Sequence, residues 1–465
     1  MIPDEVIDHL LAECLGRPNA YEALVQLCDR VGGRTSGLLS GRQAEEWAFV
    51  LFARYGLTNP RYEDVPVTAW ERGTLEVAAL DPASWRLTAL AHGNAPSQAE
   101  VAAPVVDVGH GEREQFEEKK EQVVGSIALC DEGATEGRRV LHRSEKLRLA
   151  IAYRAAGLMI QSSAPGGLPR TGVGHYGGEA PIPSVGIALE DGLRLKRLIA
   201  QGANPHVRIQ MRNRFAEMFA RNVIAEIPGE AEPETVVLAG AHLDSWDVAQ
   251  GATDNGLGCA IVLEMARALA SLPRRPRCTL RFALWAAEEV GLLGSREYAR
   301  RHAAALPNHR AVMNFDMTGD PYGFVCPQPR SADPPRLVKD LAARLAGLGM
   351  REEFSSKATL HSDHQPFLLA GVPVVMLLAN RAGDGAHYYH SVGDTIEKVS
   401  LPAMARAAAV GACTLWCLSE HADLVGAFSP MEVRTILEES DLMEALNAEG
   451  YDGPPMHVPY TKVQG

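Results

Sequence analysis

Apolar positions follow a helical period at the start of the chain and then lose it. Val6, Leu10, Leu11, Leu24, Val25 and Leu27 fall at helical spacing, which predicts helix across residues 3–31. A second helix is expected over 41–55. From about Gly73 to Gly202 the apolar runs shorten, and Gly and Pro punctuate them. TLEVAAL, WRLTALA, APVVDVG and GSIALCDEG read as strands broken by turns. KLRLAIAYRAAG reads as helix, GLMIQSS as the strand after it, and IPSVGIALEDGLRLKRLIAQG as a further strand and helix. This stretch is expected to form a separate β-rich insert.

From about 204 the rhythm becomes strand then helix. ETVVLAGAHLD, CTLRFALWAAEE, HRAVMNFDM and VPVVMLLA are apolar enough to be strands buried on both faces. GLGCAIVLEMARALASL and GLLGSREYARRHAAAL have helical spacing. The alternation predicts an α/β fold with a mixed, mostly parallel sheet and helices on both faces. The expected organisation is an N-terminal helical part over 1–72, the insert over 73–203, a catalytic domain over 204–428, and a C-terminal helix and arm over 429–465. In the last of these, Ser429-Pro430-Met431-Glu432 fits an N-cap, a first-turn proline and a capping box. That helix is expected to run to Asn447. The last fifteen residues have no period.

Composition narrows the function classes. Of the 465 residues, 46% are hydrophobic and 22% charged, as in globular proteins, and length alone suggests two or three domains. The formal charge is −13, and no basic tract is long enough to follow phosphates, so a nucleic-acid partner is not expected. The first residues are acidic where a secretory leader needs bases, and no run reads as approaching a membrane span. A cytoplasmic protein is expected, with its eight scattered cysteines reduced.

The candidate chemistry lies at strand ends, where open α/β sheets bind ligands. His242 and Asp244 form H-x-D, and a carboxylate there can hold the second ring N–H of a metal-bound imidazole. Asp254 follows twelve residues later in A-T-D-N-G, a turn sequence that can also present a bridging carboxylate. Glu288-Glu289 closes an apolar strand. Two adjacent buried carboxylates repel, so a metal on one would relieve them and leave the other as a base. Asp316 stands after apolar strand residues in NFDMTGD, and His390 competes with His387 in H-Y-Y-H. Two imidazoles and three carboxylates can hold two divalent ions. An oxygen and nitrogen set without thiolates suits zinc.

In this order the residues resemble the co-catalytic di-zinc exopeptidases of the leucyl aminopeptidase and glutamate carboxypeptidase type. That family's pattern is H-x-D, an Asp in G-A-x-D-N-x-G, Glu-Glu, Asp, then His. VVGSIALCDEG, AAGLMI and IPSVGIALEDG likewise resemble a protease-associated domain, in its order. The resemblance implies two Zn2+ per chain: one on His242 and Asp316, one on Glu289 and His390, with Asp254 bridging. It implies Glu288 as general base, a cis Asp254–Asn255 peptide, and a homodimer. Tyr389, before His390, becomes a candidate oxyanion donor. Ser362 and Asp363 in H-S-D-H are given a substrate-side role, with His361 and His364 as rival ligands. The expected substrates are short peptides, cleaved by an aminopeptidase or dipeptidase. The alternatives are a glutaminyl-cyclase-like acyltransferase using one zinc, and a receptor-like homologue with a dead site. The intact ligand set argues against both.

Overall fold

A computed structural model describes residues 2–329, 335–380, 385–421 and 426–448. Its spine is a 14-stranded sheet. In the catalytic half, Glu232–His242 is central. It pairs in parallel with Cys278–Trp285 on one side and His309–Asn314 on the other, and Val374–Asn380 continues in parallel beyond. Asp320–Val325 adds an antiparallel strand at that edge. The mostly parallel sheet read from the sequence is present.

Strand alternation explains the continuous apolar runs. Val237, Ala239, Ala241, Phe282 and Leu284 face one buried cluster, covered by the helices Leu257–Ala270, Leu401–Glu420 and Asp4–Gly16. Val236, Leu238, Ala283 and Trp285 face another, with Tyr298 and Phe367. A strand with both faces covered has no polar side to show.

Several expectations change. The helix read across 3–31 is two, Asp4–Gly16 and Ala20–Arg30, because Pro18 interrupts it. The tail helix is also two, Pro430–Glu439 and Met443–Ala448, with Asp441 between them at φ 61°. The Ser429–Glu432 capping box is present as expected. The aperiodic tail of fifteen residues lies outside the described residues. One run does have the length and apolarity of a membrane span, Leu401–Glu420. However, 83% of its most apolar window is buried inside the protein, so it is a core helix here.

The insert joins the catalytic sheet through two long strands, one extending well beyond the TLEVAAL run read from the sequence and one that the sequence did not reveal. Thr58–Asp81 and His206–Ile227 form one antiparallel ribbon. At one end His206–Ile227 pairs with Cys278–Trp285, and at the other with Gln98–Asp107. From there Ile127–Asp131, Gly157–Gln161 and Ser184–Ile187 continue in parallel. One continuous sheet therefore carries both halves and turns the insert's loops toward the catalytic strand ends.

Candidate active site

The strands Glu232–His242, Cys278–Trp285 and His309–Asn314 end together. His242 is the last residue of the first. Glu288 and Glu289 follow the second, and Asp316 follows the third. Asp254 arrives from the turn Ala252–Gly256, and His390 from the segment after Gly385–Tyr388. The Asp254–Asn255 peptide is cis.

Asp254 stands between the two imidazoles. Its Oδ1 lies 3.2 Å from His242 Nε2, and its Oδ2 lies 3.1 Å from His390 Nε2. Asp316 Oδ1 is 3.5 Å from His242 Nε2, and Glu289 Oε2 is 3.0 Å from His390 Nε2. Two groups of ligand atoms result, His242–Asp254–Asp316 and Asp254–Glu289–His390, with Asp254 in both. Glu289 Oε1 is buried with no hydrogen-bond partner among the described residues. A carboxylate oxygen left unpaired in a buried site, beside nitrogen and oxygen donors only, fits a cation such as zinc.

The charges are consistent with that fit. Burial pushes the Asp254 carboxyl up, but the two imidazoles outweigh it and hold it below the carboxylate range. Burial lowers both histidines, yet the carboxylates around them dominate. His242 is raised well above its ordinary value, with Glu288 the largest contributor, and His390 is raised by Glu289 and Asp254. Burial raises Glu288 well above the carboxylate range, opposed by His242 and reinforced by Asp316 and Glu289. Glu289 is raised for the same first reason.

Buried hydrogen bonds hold these groups in place, and most were not legible in the sequence. Asp394 accepts the Thr253 N–H at 2.7 Å, its hydroxyl at 2.6 Å and the Asp254 N–H at 3.1 Å. Asn255 ties the bridging turn to the Asp316 segment. Its Nδ2 donates to Phe315 O at 2.8 Å, and its Oδ1 accepts Met317 N–H at 3.2 Å. Ala287, Met317 and His390 hold φ of 56°, 47° and 53°. Such left-handed conformations in side-chain-bearing residues persist where the surroundings over-determine them, and they cluster at functional sites.

Three sequence assignments change. His242 Nδ1 lies 3.0 Å from the main-chain carbonyl of Asp244, while the Asp244 carboxylate is 3.7 Å away. That carboxylate instead accepts the N–H groups of Glu288 and Glu289, at 3.1 and 3.3 Å. It acts on His242 through its charge and on the glutamates through hydrogen bonds. Ser362 is buried and donates to Asp316 Oδ2 at 2.7 Å, so it orients Asp316 instead of lining an open surface. Asp363 is 1% exposed, and burial raises its carboxyl to about 7. The rival histidines fall in neither ligand group. His364 Nε2 meets Thr359 O at 3.0 Å, His361 stacks on His142, and His387 packs edge-on against Tyr388.

The insert supplies a wall that sequence reasoning missed. Thr171 N–H donates to His390 O at 2.9 Å. Arg143, first residue of the helix Arg143–Ala152, places Nη2 3.3 Å from His390 Nδ1, and the neighbouring Tyr389 phenol favours its charged form. Gly172 makes room for it, since a Cβ there would lie 2.3 Å from the guanidinium carbon. Trp246 sets its ring edge-on to His390 at 6.0 Å and reaches into the insert's core, where a Cβ on Gly93 would meet it at 2.2 Å. Burial pushes the Tyr389 phenol up, so it stays a neutral donor.

Comparison with known proteins agrees with this geometry. Residues 222–414 match Peptidase family M28, and residues 100–195 match the PA domain. Carboxypeptidase Q of Mus musculus is 30% identical over 415 residues, covering 87% of each chain. Leupeptin-inactivating enzyme 1 of Streptomyces exfoliatus is 34% identical over 220 residues, 42% of this chain and 48% of that one. Among solved structures, a peptidase M28 precursor from Shewanella amazonensis superposes with a TM-score of 0.79 at 26% identity, covering 91% of this chain and 98% of the other. A zinc aminopeptidase from Bacillus subtilis shares the fold, with a TM-score of 0.65 at 22% identity and coverage of 87% and 97%. The 30% identity with carboxypeptidase Q across 87% of both chains, together with the family match, shows that this chain belongs to peptidase family M28 and is a metallo-exopeptidase.

Proposed function

We propose a zinc-dependent exopeptidase that hydrolyses short peptides, dipeptides foremost, at a site holding two ions. The observation that carries this is Asp254, whose two carboxylate oxygens each face a different imidazole. His242 and Asp316 would hold one ion, Glu289 and His390 the other, with Asp254 shared. Bound zinc supplies Lewis acidity and charge: it acidifies a water, polarises the scissile carbonyl and keeps the neighbouring Glu288 ionised.

Glu288 takes the proton from the attacking water and passes it to the leaving amine. It is placed for this by the Asp244 carboxylate, which fixes its main-chain N–H. Tyr389, a neutral phenol at neutral pH, donates to the oxyanion as the carbonyl becomes tetrahedral. Arg143 receives the carboxylate of the leaving residue. No described carboxylate pairs with it, and a forked guanidinium suits a carboxylate. An imidazole bound through Nε2 carries its proton on Nδ1, and Arg143 can only donate. Its Nη2 then has no acceptor on His390 and is available to substrate. The insert wall beside His390 limits the length of what can follow.

Product analysis by mass spectrometry tests this. The zinc-loaded protein would receive one dipeptide in free, N-acetylated and C-amidated forms, and extended to a tetrapeptide. The reading expects cleavage of the free dipeptide and loss of cleavage on C-amidation. Cleavage of the amide as readily as the acid would remove Arg143 from recognition and leave an aminopeptidase.

A further inference from the structure

Arg34 is fully buried, and every hydrogen bond its guanidinium makes among the described residues goes to a main-chain carbonyl. Nε donates to Leu243 O at 2.8 Å. Nη1 donates to Gln250 O at 2.6 Å and Gly32 O at 2.9 Å, and Nη2 to Gly251 O at 2.8 Å. Its backbone joins the same knot: Arg34 N–H donates to Ser245 Oγ at 3.1 Å, and Ser245 N–H to Arg34 O at 3.2 Å. Leu243 stands between His242 and Asp244. Gly251, at φ 59°, opens the turn that carries Asp254. One side chain therefore grips two of the three segments that supply the first ligand group, those of His242 and Asp254.

The type of residue matters. A buried cation is costly unless its hydrogen bonds are made, and a buried spot with only a packing duty is filled at lower cost by an apolar side chain. A guanidinium is planar and presents five donors in a rigid fork, so it can hold several carbonyls in fixed directions, where an ammonium cannot. The spacing between His242 Nε2 and Asp254 Oδ1, 3.2 Å, depends on how these two loops stand against each other. Neither loop carries a regular hydrogen-bonded ladder at that point: residues 243–246 and 250–251 lie outside helix and strand.

We infer that Arg34 is a positioning residue for the metal centre, fixing the His242 segment against the Asp254 turn so that their ligand atoms meet one ion. This rests on the ligand reading proposed above. It differs from a stabilising role in what it should change: metal affinity and ligand geometry, beyond the melting temperature.

The test uses full-length wild type, Arg34→Lys, Arg34→Met and Ser245→Ala. Zinc affinity would be read by chelator competition, ligand geometry by the visible spectrum of the cobalt-loaded protein, and stability by melting without metal. Wild type should bind two ions. Both Arg34 variants should hold one of the two about 10–100-fold more weakly, the range for loss of an outer-shell partner, with an altered cobalt spectrum. Lysine should not rescue, since it keeps the charge and loses the fork. Ser245→Ala, a milder change, should shift the same affinity in the same direction by less.

Unchanged zinc affinity and spectrum in the Arg34 variants, with only a lower melting temperature, would overturn the inference. If those variants do not fold, unchanged affinity in Ser245→Ala overturns it instead. Wild type failing to bind two ions would overturn the site reading and this inference together, whereas wild type binding two with variants that match it overturns this inference alone.

Discussion

The Asp244 carboxylate accepts the main-chain N–H of Glu288 at 3.1 Å, and its other oxygen lies 3.3 Å from the next N–H in the chain. One side chain thus fixes the turn that carries both the proposed base and a proposed ligand. Asp244→Asn offers one acceptor oxygen, and its NH2 group faces a second donor. The expected result is a kcat lower by about 10–100-fold with zinc content retained at saturating zinc. Rate measurement beside metal analysis checks it. A variant with full kcat would return Asp244 to a role on His242 alone.

Glu288→Gln keeps the size and removes the base. Turnover should fall by about 10²–10⁴-fold, the usual contribution of a general base, while two ions remain bound. Glutamine also cannot carry the proton to the leaving amine, so no pH should restore the rate. Substantial activity in a metal-replete variant would assign the proton to another group.

Arg143 and Tyr389 should separate kinetically. Arg143→Met removes a proposed contact to the substrate carboxylate, present in ground state and transition state alike, so KM should rise more than kcat falls. Tyr389→Phe removes a donor proposed to matter as the oxyanion forms. Its kcat should fall with KM little changed, by up to about 10²–10³-fold if the phenol matches a full oxyanion-hole donor. The opposite pattern would exchange the two roles.

Metal binding should release protons. The carboxylates around His242 and His390 raise both imidazoles above their ordinary values, so in the metal-free protein each keeps its proton to a higher pH than a free imidazole does. A metal takes the neutral ring. Zinc affinity should therefore climb as pH rises through neutrality. Calorimetry in two buffers of different ionisation enthalpy should show net proton release. An affinity flat between pH 6 and 8 would contradict the raised values.

How much of this was legible in the chain depends on distance along it. His242, Glu288, Glu289 and Asp316 stand where apolar runs stop, and a strand end is visible in a sequence. The knots that hold them join distant segments: Arg34 reaches Leu243, Thr253 reaches Asp394, and Arg143 reaches His390. No local period marks such pairs. The strand His206–Ile227 was missed for a different reason. Its middle, Arg214–Phe219, is largely exposed, so it lacks the apolar run that revealed its neighbours. The Asp244 and Ser362 assignments slipped because a motif gives residue types without directions. The Asp244 carboxylate, 3.7 Å from the histidine it follows, makes its hydrogen bonds to the Glu288 and Glu289 N–H groups, and Ser362 turns inward to Asp316.

Glu288→Gln should also stabilise the metal-free protein, in a pH-dependent way. Burial, with Asp316 and Glu289 nearby, raises the Glu288 carboxyl well above its ordinary value despite His242. The folded chain thus holds this proton more tightly than the unfolded chain does. At pH values below the ordinary carboxyl pKa, near 4.3, both states are protonated and the group contributes no pH dependence. As pH rises past that value the unfolded state loses its proton first, the folded state binds more protons, and stability falls until the folded carboxyl also ionises. Glutamine has no such titration. In chelator, the melting temperature of Glu288→Gln minus that of wild type should start near its acid value, grow as pH rises above the ordinary carboxyl pKa, and level off once the folded carboxyl ionises. Zinc should shrink the gain, because the wild-type carboxylate then gains from the cations beside it. A difference that is constant with pH would mean that Glu288 is solvated in the folded protein and ordinary in its acidity.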